Sequence, residues 1–196
     1  MSAKAKQGKF VPERISRPHG KHKKNNEKNE FLSWLLSLVI AVMIALALRF
    51  FVFDFVIVDG ISMEPTLYSG EMVFVEKISY RFNEPEVGDI LISKYDDKKK
   101  KYVKRVMGTE GDEVEIRDGK LFVNGKQIIE PYIKEEIVGD MPLQIVAEDS
   151  VFLMGDNRNN SYDSRVSSVG SVSMDKTRGK AVLLVWPFKR FGSIDE

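Results

Sequence analysis

Val114-Glu115-Ile116-Arg117-Asp118-Gly119-Lys120-Leu121-Phe122-Val123 reads as two short strands joined by an Asp-Gly turn. Asp-Gly between apolar alternating arms is a strong hairpin signal, because both central positions of a tight turn favour residues that accept positive φ. Asn124-Gly125 follows at once and marks a second turn. Working outward, the pattern recurs. Phe55–Val58, Met72–Glu76, Ile90–Lys94, Tyr102–Met107, Val114–Ile116, Leu121–Val123, Val151–Met154 and Ala181–Trp186 are short β-branched or aromatic runs. Ser69-Gly70, Val87-Gly88-Asp89 and Asp118-Gly119 punctuate them. No amphipathic helical pattern of ten or more residues occurs after Phe53. The expected fold is mostly β, with antiparallel strands in barrel-like or sandwiched sheets.

What precedes the β pattern is different in kind. Phe31–Leu48 is an 18-residue run without charge, broken in polarity only by Ser33 and Ser37. Extended to Phe53, it is long enough to cross roughly 30 Å of hydrocarbon as a helix. Trp34 near one end and Phe50, Phe51 and Phe53 near the other suit the interfaces, and Arg49 can snorkel to a headgroup. A buried core helix would need apolar helical partners, which the rest of the chain does not offer. A cleavable secretory signal would have a shorter leading segment and a small-x-small site after the run. The expectation is therefore an uncleaved single-pass anchor over 31–53.

Charge gives the orientation. Residues 1–30 carry nine Lys/Arg against three Asp/Glu, while the whole chain has a net charge of +1. That tail has too few aliphatic residues to fold alone and is expected to be disordered. By the positive-inside tendency it stays cytoplasmic, which places residues 54–196 outside the cell membrane. The remainder is mildly acidic, which excludes a nucleic-acid module. Tyr95–Tyr102, with four successive lysines, reads as a charged hairpin tip.

The chain has no cysteine, and its histidines, His19 and His22, both lie in the tail. Ser-His-Asp, Cys-His and His-based zinc chemistry are thus closed to the β domain, and no cofactor or metal is expected. A serine nucleophile there needs another base, and lysine is the known substitute. Ser62 follows Gly60 and precedes Met63 and Pro65 in a turn-forming loop. Lys104 lies inside Tyr102–Met107, on the face shared with Tyr102 and Val106 if the strand is regular. Pointing inward it is desolvated, and its pKa falls; pointing outward it pairs with a surface carboxylate. Bringing a lysine from about 10.4 to near 7–8 takes roughly 3–5 kcal/mol. Gly155–Arg165 (G-D-N-R-N-N-S-Y-D-S-R) is by composition a polar turn.

Together the three clusters resemble the bacterial type I signal peptidases, in the short Gram-positive-like form with one anchor. Ser62-Met63-Glu64-Pro65-Thr66-Leu67, Lys104-Arg105-Val106-Met107-Gly108 and Gly155-Asp156-Asn157…Ser161…Asp163-Ser164-Arg165 carry the resemblance, with Trp186-Pro187-Phe188 at the end. It implies a membrane-bound serine endopeptidase that removes signal peptides from exported preproteins after an Ala-x-Ala-like site, working beside the protein translocation machinery. Ser62 is then the nucleophile and Lys104 the general base. Ser161 should bond the lysine amine, Asp163 and Arg165 should pair, and Asp156 and Asn157 should support the site. The Ser62 amide should donate to the oxyanion; Gly60 stands where Gram-negative members have a second, serine donor. Met63, Leu67, Tyr102 and Val103 should line a shallow pocket for the residue before the scissile bond. Glu110 replaces a family proline, and the short domain is not expected to hold a large inserted β domain. A self-cleaving repressor of the LexA type shares the Ser/Lys pair but has no anchor, and a scaffold or adhesion domain needs neither residue.

Overall fold

The computed structural model describes residues 23–94 and 100–194. Most of the basic tail and the Tyr95–Lys99 part of the lysine tip therefore lie outside the described residues. The chain divides into two compact units, Met1–Ile44 and Ala45–Glu196. One long helix, α1 (Lys23–Phe51), contains an apolar stretch of 23 residues, Asn29–Phe51, long enough to cross a membrane. Side chains along that stretch are exposed, so it is not a buried core helix. It stops two residues before the expected Phe53, which already belongs to the first strand. Lys77 Nζ holds the last turn by donating to the carbonyls of Arg49 (3.0 Å) and Phe50 (3.4 Å), which have no intrahelical partners.

Among the described residues twelve strands follow: β1 (Phe53–Ile57), β2 (Met72–Glu76), β3 (Ile90–Ser93), β4 (Tyr102–Gly108), β5 (Glu113–Arg117), β6 (Lys120–Val123), β7 (Lys126–Gln127), β8 (Met141–Ile145), β9 (Ser150–Met154), β10 (Val172–Ser173), β11 (Thr177–Trp186) and β12 (Gly192–Ser193). Among the described residues, helical structure after Phe51 is limited to single turns. Eight strands form a curled antiparallel sheet in the order β1-β2-β11-β3-β4-β9-β10, with β12 on β11. The other four form a small sheet in the order β7-β6-β5-β8, inserted between β4 and β9.

The small sheet contains the hairpin that the sequence announces. Asp118 and Gly119 have φ of +49° and +71°, as do Asn124 and Gly125 in kind (+51° and +74°), which closes β5–β6 and β6–β7. Alternation then sends Val114, Ile116, Leu121 and Val123 inward, where they pack with Met107, Phe152 and Met154 of the large sheet. β7, β8, β10 and β12 escape sequence reading because they are two-residue bridges or, for β8, an exposed edge containing Pro142.

β4 is the strand that positions the site. It is buried from Val103 onward, with Val103 in one apolar cluster, Val106 in a second and Met107 in a third. Tyr102–Arg105 pair with β3, and only from Arg105 onward does β9 pair on the other side. Among the described residues, no strand pairs with Val103 and Lys104 on the other edge. β1, at the end of the sheet order, keeps one open as well.

Candidate active site

Ser62 and Lys104 are 42 positions apart and meet at a cleft of about 180 Å³. Lys104 Nζ lies 2.5 Å from Ser62 Oγ and 3.0 Å from the Val103 carbonyl. Lys104 is 2% exposed, so it points inward. Burial lowers its pKa from the ordinary value to about 8; the Asp163 and Asp156 carboxylates work against that fall, and Arg165 and Lys100 add to it. The amine is therefore partly neutral near physiological pH, when it accepts a proton from a hydroxyl at hydrogen-bond distance.

The Ser62 loop is held from below by Gly155–Asn157. Asn157 donates its amide to the Ser62 carbonyl (3.0 Å) and its side-chain nitrogen to the Ile61 carbonyl (3.1 Å). A Cβ on Gly155 would collide with the Ser62 carbonyl and with Ser161 Oγ, so this position admits only glycine at this approach. Asp156 takes Arg105 Nε (3.0 Å) and Nη2 (2.8 Å), and Thr66 Oγ1 (2.5 Å). Arg105 and Thr66 adjoin the lysine and the serine, so one buried carboxylate ties β4 to the Ser62 loop. Among the described residues the Ser62 amide donates to no backbone acceptor. The Gly60 amide donates to Ser69 Oγ at a long 3.3 Å.

Asp163 and Arg165 form a bidentate pair, with both bonds at 2.8 Å. Burial alone would raise the Asp163 carboxyl; Arg165, Ser161 and the Gly155 amide outweigh it and hold the pKa below the ordinary range. Arg165 Nη2 also caps the Arg158 carbonyl (2.5 Å). Two expectations need correction. Ser161 Oγ is buried but forms no hydrogen bond with Lys104, whose partners are Ser62 and Val103. Leu67 is fully buried and does not line the cleft, because its side chain belongs to the apolar core cluster that includes Val58, Val73 and Ile92. Met63, Tyr102 and Val103 do line it, with Val58, Ile61, Asn160 and Tyr162, which sequence reading missed. The Thr109–Asp112 turn, despite Glu110, is fastened by Asp112 bonding the Thr109 amide (2.7 Å) and hydroxyl (2.9 Å).

Arg158 and Glu130 form a further buried pair at 2.6 Å, with Tyr132 set against the Arg105 guanidinium (4.0 Å). Nothing in the sequence pattern pairs Glu130 with Arg158. A buried arginine demands a carboxylate, but the partner's position is set by tertiary folding.

Residues 31–186 match the family model described as signal peptidase, peptidase S26. The chain belongs to the S26 signal peptidase family. Its relatives include the signal peptidase I of Bacillus licheniformis, 37% identical over 88% of this chain and 98% of that one. The signal peptidase I T of Bacillus subtilis strain 168 is 38% identical over 82% of this chain and 88% of that one. A crystal structure of a signal peptidase I from Enterococcus faecalis V583 is 28% identical, with a TM-score of 0.45, and covers 50% of this chain and 97% of that chain. As an S26 signal peptidase the protein is a hydrolase, a membrane-anchored peptidase that processes signal peptides.

Proposed function

We propose that Ser62 and Lys104 form a catalytic dyad that cleaves preproteins after an Ala-x-Ala-like site. The observation that carries this reading is the 2.5 Å contact between Ser62 Oγ and a buried lysine whose pKa is about 8. Neutral Lys104 takes the hydroxyl proton as Ser62 Oγ attacks the scissile carbonyl carbon. The oxyanion accepts the Ser62 N–H, with the Gly60 N–H, held by Ser69 Oγ at a long 3.3 Å, as a candidate second donor. The Lys104 ammonium then gives its proton to the leaving amine, and the C–N bond breaks. Water, deprotonated by Lys104, hydrolyses the Ser62 ester and returns the site to its starting state.

Among the described residues, the edges of β1 and of Val103–Lys104 that pair with no strand support an extended substrate held on both sides. In an extended chain the first and third residues before the bond face the same way, toward Met63, Tyr102 and Val103. The small cleft favours Ala there. Positive charge in residues 1–30 supports a cytoplasmic tail, a membrane anchor over 31–53 and an extracytoplasmic peptidase domain over 54–196, beside the translocation machinery. The test is cleavage of an Ala-x-Ala preprotein by the detergent-solubilised full chain. Ser62→Ala should abolish it with the fold intact. Turnover by that variant, or efficient cleavage with Phe before the bond, overturns the reading, and a scaffold would keep its role in Ser62→Ala.

A further inference from the structure

Beyond the cleft lies a groove of about 780 Å³ that the steps above do not use. Ile116, Ile137 and Met141 form its apolar floor, and Gln144 stands on one bank. That bank is β8, the outermost strand of the small sheet, so one of its edges has no strand beside it. The other bank is the segment Arg158–Tyr162, which is also a wall of the cleft. Asn160 and Tyr162 line the cleft, whereas Asn159 and Ser161 line the groove. Ser161 is extended (φ −132°, ψ 132°), and an extended chain sends alternate side chains to opposite sides. One thickness of backbone thus separates the two spaces.

A substrate lying along Tyr102–Lys104 cannot stay on β4 past the scissile bond. From Arg105 onward that edge is taken by β9, through Arg105↔Met154 and Val106↔Leu153. The emerging chain meets Gly155 and the 158–162 wall, and the groove is on the far side. We propose that this groove binds the residues that follow the scissile bond, as an extended segment laid on the free edge of β8. This rests on the reading of Ser62 and Lys104 given above. The chemistry suits the task. Main-chain pairing with a strand edge is indifferent to side chains, and exported proteins begin with many different sequences. Arg158 pairs with Glu130 through Nη2, Arg165 with Asp163, and Asp140 with the Asp118 amide, while Arg158 Nη1 is buried without a partner among the described residues. Recognition there falls to backbone and apolar contact.

Two peptides with identical residues before the bond test this in the full chain. One ends two residues after the bond; the other continues for about eight, enough to cross the wall at about 3.3 Å per residue. The longer peptide should have a KM roughly tenfold lower, with little change in kcat. Val138→Asp at the groove rim, where Val138 is 83% exposed, and Gln144→Pro on β8 should each bring the KM ratio toward one. Equal KM values in the wild type, or a ratio that neither substitution moves, overturn the proposal. Failure to cleave either peptide counts instead against the dyad. The groove is then read with Ser62→Ala and a long peptide carrying a photo-crosslinker at the fourth residue after the bond. Adducts within Val138–Ile145 support it, and adducts confined elsewhere refute it.

Discussion

Lys104 and Arg105 are neighbours on β4, both buried, yet they face different surroundings. Arg105 looks onto Asp156 and is neutralised by two bonds of 3.0 and 2.8 Å. Lys104 looks onto Ser62 and the Val103 carbonyl, and no carboxylate reaches its amine within ion-pair distance among the described residues. The arginine's cost of burial is offset by its partner and fixes architecture. The lysine's is left standing, and the unrelieved cost is what makes its proton labile. The proposed dyad depends on this asymmetry, in which, among the described residues, one face of the strand has no carboxylate within ion-pair distance and the other does.

Exchanging the two chemistries should break the contrast most severely. Lys104→Arg keeps charge and length on the Ser62 face but cannot give a neutral base, since guanidinium does not deprotonate in proteins. Its kcat/KM on a preprotein should fall at least about 10³-fold, as far as that of Lys104→Ala. Appreciable turnover by the arginine variant would mean that a fixed positive charge suffices. On the other face, Arg105→Met leaves Asp156 buried and unpaired and should lower unfolding free energy by about 3–5 kcal/mol in denaturant titrations. A loss under about 1 kcal/mol would remove the distinction between the two cations.

The reverse sign is expected on the lysine face. A lysine whose folded pKa is about 8 against 10.5 unfolded binds fewer protons folded than unfolded between those values. Its cost is thus full below pH 8 and fades as pH rises to 10.5, so wild-type stability climbs through that window. Lys104→Met should be more stable than the wild type by about 3 kcal/mol at pH 7, and the gap should close by pH 10.5. The smallest effect sharpens the picture. Activity should rise with pH with an apparent pKa near 8. Asp163 pulls that value up, so Asp163→Asn should move the acid limb of the kcat/KM pH profile to lower pH. A shift upward would show that Asp163 acts only by holding Arg165.

Much of this was legible beforehand. The Asp118-Gly119 and Asn124-Gly125 turns and the strands around Ser62 and Lys104 follow from period-two patterning and turn chemistry, which are local, whereas the choice between an inward and an outward Lys104 is settled only by the fold. Ser161 and Leu67 were misjudged for a different reason. Which side of a loop a hydroxyl occupies, or whether an apolar residue after a nucleophile lines a cleft or sinks beneath it, depends on the packing of distant segments. Glu130 and Tyr132 were invisible for the same cause, since their partners Arg158 and Arg105 are brought to them by the fold alone.

β11 lies between β2 and β3 in the large sheet, although it is made of residues Thr177–Trp186 near the far end of the chain. Ser62 follows the β1 half of that sheet and Lys104 belongs to the β3–β4 half, so the two halves are stitched together by a strand synthesised well after both residues. During biosynthesis a nascent chain holds both reactive residues long before it holds the strand that aligns them. A chain that has not yet acquired Thr177–Trp186 thus lacks the strand that joins the Ser62 half of the sheet to the Lys104 half. A product truncated before Thr177 would be left without the seam that assembles its cutting edge.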